Sequence, residues 1–62
     1  MKLTLEMTAE LRKQVKSNES VLSIFRKSLV TLYKAYRKKL IDKVEYQQEY
    51  NALLYKCALM TN

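Results

Sequence analysis

Apolar residues recur along this chain at helical spacing. Leu22, Phe25, Leu29, Leu32 and Tyr36 follow one another at steps of 3, 4, 3 and 4. That spacing keeps side chains on one face of a helix. With Val21, Tyr33 and Leu40 they span an arc of about 120° at ~100° per residue. The pattern predicts a helix over residues 20–40. Downstream, Tyr46, Tyr50, Leu53, Leu54, Cys57 and Met60 form a second stripe, which predicts a helix over residues 43–60. Between the two, Leu40-Ile41-Asp42-Lys43-Val44-Glu45 reads as a boundary. Asp42 can cap the following helix, and Glu45 stands three residues on, as in a capping box. The stripes match in length and register, so an antiparallel helical hairpin is the natural arrangement. In that register Tyr50 and Leu53 fall near Leu32 and Tyr36, and Cys57 and Met60 near Phe25 and Leu29.

The N-terminal segment reads two ways. Leu3, Leu5 and Met7 alternate with Lys2, Thr4 and Glu6, as in a short strand, while Leu3, Met7, Leu11 and Val15 step by four, as in a helix. From Thr8 onward the helical reading holds. The segment starts at about Thr4 or Thr8 and runs to Ser17, and the pattern predicts a first helix over residues 8–17, with Thr8 as its N-cap. Ser17-Asn18-Glu19-Ser20 then breaks the chain, because Ser and Asn side chains compete for backbone hydrogen bonds and favour caps. The expected architecture is all-α: one small helical domain over residues 1–62, with three helices. A hairpin leaves part of each stripe uncovered, so the bundle is expected to be completed by dimerisation or by a partner. Leu22, Phe25, Leu29, Leu32, Tyr36, Tyr50, Leu53, Leu54 and Cys57 are the expected core or oligomer contacts. Tyr55 and Leu59 lie off the main stripe. They are core if they meet Leu11 or Val15, and a docking patch otherwise.

Composition narrows the chemistry. The 62 residues include no Gly and no Pro, which removes Gly-rich phosphate loops and the favoured hairpin turns. Without His there is no imidazole base, and no Ser–His or Cys–His pair. The single cysteine, Cys57, permits no intrachain disulfide and sits among apolar neighbours as a packed thiol. Neither a metal site nor a cofactor is expected, because no tetrahedral ligand set can be assembled. Glu45 and Glu49 stand at i, i+4, and a solvated helix face accounts for them better than acid–base chemistry. The longest apolar run is four residues, too short for a membrane span or a secretory core. The expectation is therefore no enzyme activity, no membrane partner, and residence in the cytoplasm or whichever compartment makes the chain.

Charge adds the main functional clue. The net charge is +6, and residues 26–43 account for all of it, with seven basic residues against one Asp. On a helical projection Arg26, Lys27, Lys34, Arg37 and Lys38 fill an arc beside the apolar face. Such a field attracts an acidic protein surface or phosphate. Tyr33 and Tyr36 interleave with these cations, as in some nucleic-acid binders. Both fall on or beside the apolar arc, where packing is the expected role.

Leu32, Tyr36, Leu40, Ile41, Asp42, Glu45, Tyr46, Leu53 and Leu54 together resemble the SHOCT family of short helical hairpins. The pattern covers residues 32–54. Lys39 stands where that family carries Gly, and Tyr50 where it carries Lys. The resemblance implies an oligomerisation or protein-interaction module without catalytic residues. The N-terminal half also resembles a ribbon-helix-helix DNA-binding domain. In that reading Lys2, Thr4 and Glu6 face the major groove from a paired strand, and Leu3, Leu5 and Met7 enter a dimer core. The stretch from Thr8 to Ser20 is shorter than that fold uses.

Function is then expected to be binding. The first choice is a regulator, inhibitor or adaptor whose basic flank docks on an acidic protein. Its compactness and Lys/Tyr/Asn-rich composition are similar to those of small viral and mobile-element proteins. A dimeric DNA- or RNA-binding regulator is the alternative, with Arg12, Lys13 and Lys16 assisting. A structural component of a larger assembly is the third reading.

Overall fold

The computed structural model describes residues 4–61. Three helices follow one another: α1 (Leu5–Lys16), α2 (Glu19–Arg37) and α3 (Lys43–Met60). There is no strand among the described residues. Each helix start is fixed by a polar side chain that accepts an otherwise orphaned backbone N–H. Thr4 Oγ1 accepts from the Met7 N–H at 3.1 Å, Asn18 Oδ1 from Val21 at 3.2 Å, and Asp42 Oδ1 from Glu45 at 2.8 Å.

The first of these corrects an expectation. Thr4, not Thr8, caps α1. Thr8 lies one turn inside the helix, 8% exposed, with its hydroxyl donating to the Leu5 carbonyl at 2.9 Å. The strand reading fails at Leu5, Glu6 and Met7, which are helical. Helical spacing wins there because Leu11 and Val15 share a face that packs inward, while Leu5 is left 87% exposed. Residues 1–3 of that expected strand lie outside the described residues.

Only Ser17 and Asn18 join α1 to α2. The Ser17 N–H donates to Lys13 O and the Asn18 N–H to Val15 O, closing α1 without a glycine. The α2 helix stops at Arg37, three residues before the expected end at Leu40. Lys39 takes a φ of +62°, the left-handed region, and Leu40 is 73% exposed. The Leu40 N–H donates to Ala35 O and the Lys39 N–H to Tyr36 O, both at 3.0 Å. This is a Schellman ending with Lys at the position where Gly is usual.

The hairpin of α2 and α3 is completed by α1, which packs on both. The core consists of Val15, Val21, Phe25, Leu54, Cys57 and Ala58, flanked by Leu11, Leu22, Leu29, Tyr50 and Leu53. Of the expected core, Phe25, Leu54 and Cys57 are buried, and Leu22, Leu29, Tyr50 and Leu53 border it. Leu32 and Tyr36 are only half-buried and stand outside the cluster. They belong to the hairpin's turn end, whereas the cluster draws on residues 21–29 of α2 and 50–58 of α3. The pairing across the hairpin is also shifted from the expected register. The Tyr50 ring meets Phe25 edge-on at 5.9 Å, and Tyr36 lies against Tyr46 at 4.9 Å. Met60 is 50% exposed instead of covering Phe25. It stands six residues beyond Leu54, about 120° away around the helix.

Candidate docking surface

Arg26, Lys27, Lys34, Arg37 and Lys38 are all exposed, and α2 with its C-cap Lys38 holds them on one flank because they recur at steps that return to the same side. The structure separates them into two groups. Lys34, Arg37 and Lys38 rim a groove of about 550 Å³ whose floor is Leu29, Val30 and Tyr33 of α2 and Tyr46 of α3. Arg26 and Lys27 are not part of it. They sit about two turns, or ~10 Å, nearer the start of α2.

The floor was not foreseen. Val30 is 53% exposed and Tyr33 48% exposed, although Tyr33 was expected to pack. The signal was present in the helical projection. Val30 falls at about 140° from Phe25, between Arg37 and Lys34, so an apolar residue stands inside the cationic arc. Tyr46 was legible only as core stripe. It borders the groove at the hairpin's turn end, where α1 contributes no core residue.

The electrostatics are one-sided. Among the described residues the ion pair is Lys13 Nζ with Glu10 Oε1 at 3.8 Å, both on α1 and both largely exposed. The four cations of α2 and its C-cap Lys38 have no carboxylate within 4.0 Å among the described residues. Lys34 and Arg37 occupy the last turn of α2, where cations also favour the negative end of the helix dipole. That role needs no apolar floor beside it, so it leaves the groove unexplained. Arg37 also borders a second recess with Tyr36, Lys39, Leu40, Asp42 and Glu45 at the hairpin turn.

Other candidate chemistry lies elsewhere. Cys57 is 1% exposed, and burial pushes its thiol above the ordinary value of 9.0, which disfavours the nucleophilic thiolate. Glu45 and Glu49 are exposed on α3 and border a shallow groove with Leu32, Ala52 and Leu53. Among the described residues no three Cys, Asp or Glu side chains gather as metal ligands would, and no helix is long and apolar enough to cross a membrane. Tyr55 and Leu11 line one groove between α1 and α3 with Glu6, Met7 and Glu10, but Tyr55 is exposed and stands outside the core cluster. Leu59 is 53% exposed. No family model matches this chain, and no curated protein or solved structure is significantly similar to it.

Proposed function

We propose that this chain is a non-enzymatic docking protein, a regulator, inhibitor or adaptor, that binds an acidic protein surface through the turn half of α2. The observation that carries this reading is the groove itself, in which three exposed cations, without ion-pair partners among the described residues, surround an apolar floor. Long-range attraction to Lys34, Arg37 and Lys38 speeds encounter and orients the partner. Burial of Val30, Tyr33 and Tyr46 then supplies affinity, since apolar and aromatic groups at the centre of an interface dominate its energy. Binding occludes whatever the partner presents there. The helices behind the groove act as a rigid support.

The resemblance to SHOCT hairpins supports an interaction module. Lys39, at the place where that pattern carries Gly, adopts the backbone conformation that Gly favours.

Fluorescence anisotropy with an acidic helical peptide as probe tests the proposal. Reversing charge with Lys34→Glu/Arg37→Glu should weaken binding by more than tenfold. The same reversal at Arg26→Glu/Lys27→Glu, outside the groove, should weaken it only a few-fold, through the long-range field. Equal losses would reduce the surface to nonspecific charge and overturn the reading.

One observation favours a second reading. Tyr33 is half-exposed beside Lys34 and Arg37, as a stacking platform for single-stranded nucleic acid would be. In that case an oligonucleotide should bind with a log–log salt slope of about −0.7 per phosphate contacted. Tyr33→Ala should then cost about 1–3 kcal/mol. No binding of any strand at low salt removes this reading.

A further inference from the structure

The groove between α1 and α3 has the same build as the docking groove and the opposite charge. Its volume is about 390 Å³; Met7, Leu11 and Tyr55 form its floor, and Glu6 and Glu10 its rim. Met7 is 49% exposed and Tyr55 36% exposed, so the floor is partly open. Glu6 and Glu10 stand four residues apart on α1, one helical turn or ~6 Å along the axis. Lys34, in the last turn of α2, and the C-cap residue Lys38 also stand four residues apart, a similar separation. The two rims therefore match in spacing and oppose in sign, with an apolar strip inside each.

We propose that copies of this chain associate head to tail, the α1 acidic groove of one copy seating on the α2 basic groove of the next. Glu6 and Glu10 then face Lys34 and Lys38, and Met7 lies against Val30 and Tyr33. The pair that Glu10 makes with Lys13 at 3.8 Å does not prevent this, because both side chains are about three-quarters exposed and such pairs contribute little. Tyr55 and Tyr46 are nine residues apart on α3, about half a turn around it, so the two grooves open to opposite sides. A contact between them is heterologous. Each added copy leaves one acidic and one basic groove free, and the assembly extends or closes as a ring. The contact also covers the docking groove, so an acidic partner competes with self-association.

Sedimentation velocity on the full chain, over a dilution series at low and high salt, tests this. The wild type should show mass rising with concentration beyond a dimer, and its association should weaken at least tenfold at high salt. Glu6→Lys/Glu10→Lys should be monomeric, as should Lys34→Glu/Lys38→Glu, each with the helical circular dichroism of the wild type. The chain carrying all four substitutions restores opposite rims and should associate again. An equimolar mixture of the two double variants should also associate. A folded four-fold variant that stays monomeric overturns the proposal, as does a wild type that is monomeric throughout. So does association that is unchanged in the double variants. A monomeric wild type that still binds the acidic peptide at Lys34 and Arg37 overturns the self-contact alone and leaves the docking surface standing.

Discussion

Lys39 holds a φ of +62° in a chain that has no glycine to place there. For an L-residue with a Cβ, that region costs about 1–2 kcal/mol. The cost is borne because the Schellman bonds from Leu40 to Ala35 and from Lys39 to Tyr36 end α2 and aim the chain back along it. Replacing the residue with the one the geometry favours, Lys39→Gly, should raise stability by about 1 kcal/mol, read as a higher urea midpoint at unchanged slope. Cys57 is the other telling residue. Its thiol value is raised by burial, so the unfolded chain ionises first as pH increases. The stabilisation is complete below the ordinary value of 9.0 and is lost as pH climbs through the raised one. Urea midpoints should therefore fall from about pH 8 to about pH 10, and fall less in Cys57→Ala. At this scale Asp42 was legible, because a carboxylate before a new apolar stripe is a cap with a mechanism. The choice of Thr4 over Thr8 as the first cap was not, since both carry the same hydroxyl, and only the inward face of Leu11 and Val15 tells which threonine begins the helix.

Among the elements, α3 is central and α1 decides what is covered. The α3 helix packs against both others and supplies Leu54, Cys57 and Ala58 to the core, with Leu54 fully buried. Leu54→Ala should cost about 2–5 kcal/mol. A core this small supplies about 3–5 kcal/mol in total, so the variant should lose its cooperative thermal transition. The hairpin was legible from two apolar stripes of equal length separated by a cap. Its exact pairing was not, because stripe periodicity leaves the axial sliding of one helix along the other free. The aromatic contacts Phe25–Tyr50 and Tyr36–Tyr46 set it instead. Burial of Val15 and Ala58 was equally hidden, because it depends on where α1 lies across the hairpin.

For the molecule as a whole, the uneven charge of the sequence becomes a position. The excess of +6 resides on residues 26–43. The fold gathers three of its cations around Val30, Tyr33 and Tyr46 at the hairpin's turn end, away from the core. The five cations were readable from the sequence as one flank. Of the apolar floor, Val30 was readable in the helical projection, and Tyr46 was not, since it comes from a second helix. A photo-crosslinking residue in place of Val30, in cells that make the protein, tests the docking surface most directly. An adduct with an acidic macromolecule that resists nuclease is expected. The adduct should disappear with Lys34→Glu/Arg37→Glu and be absent when the probe replaces Gln48, exposed elsewhere on α3. An adduct of equal yield at Gln48, or one indifferent to the charge reversal, would contradict it.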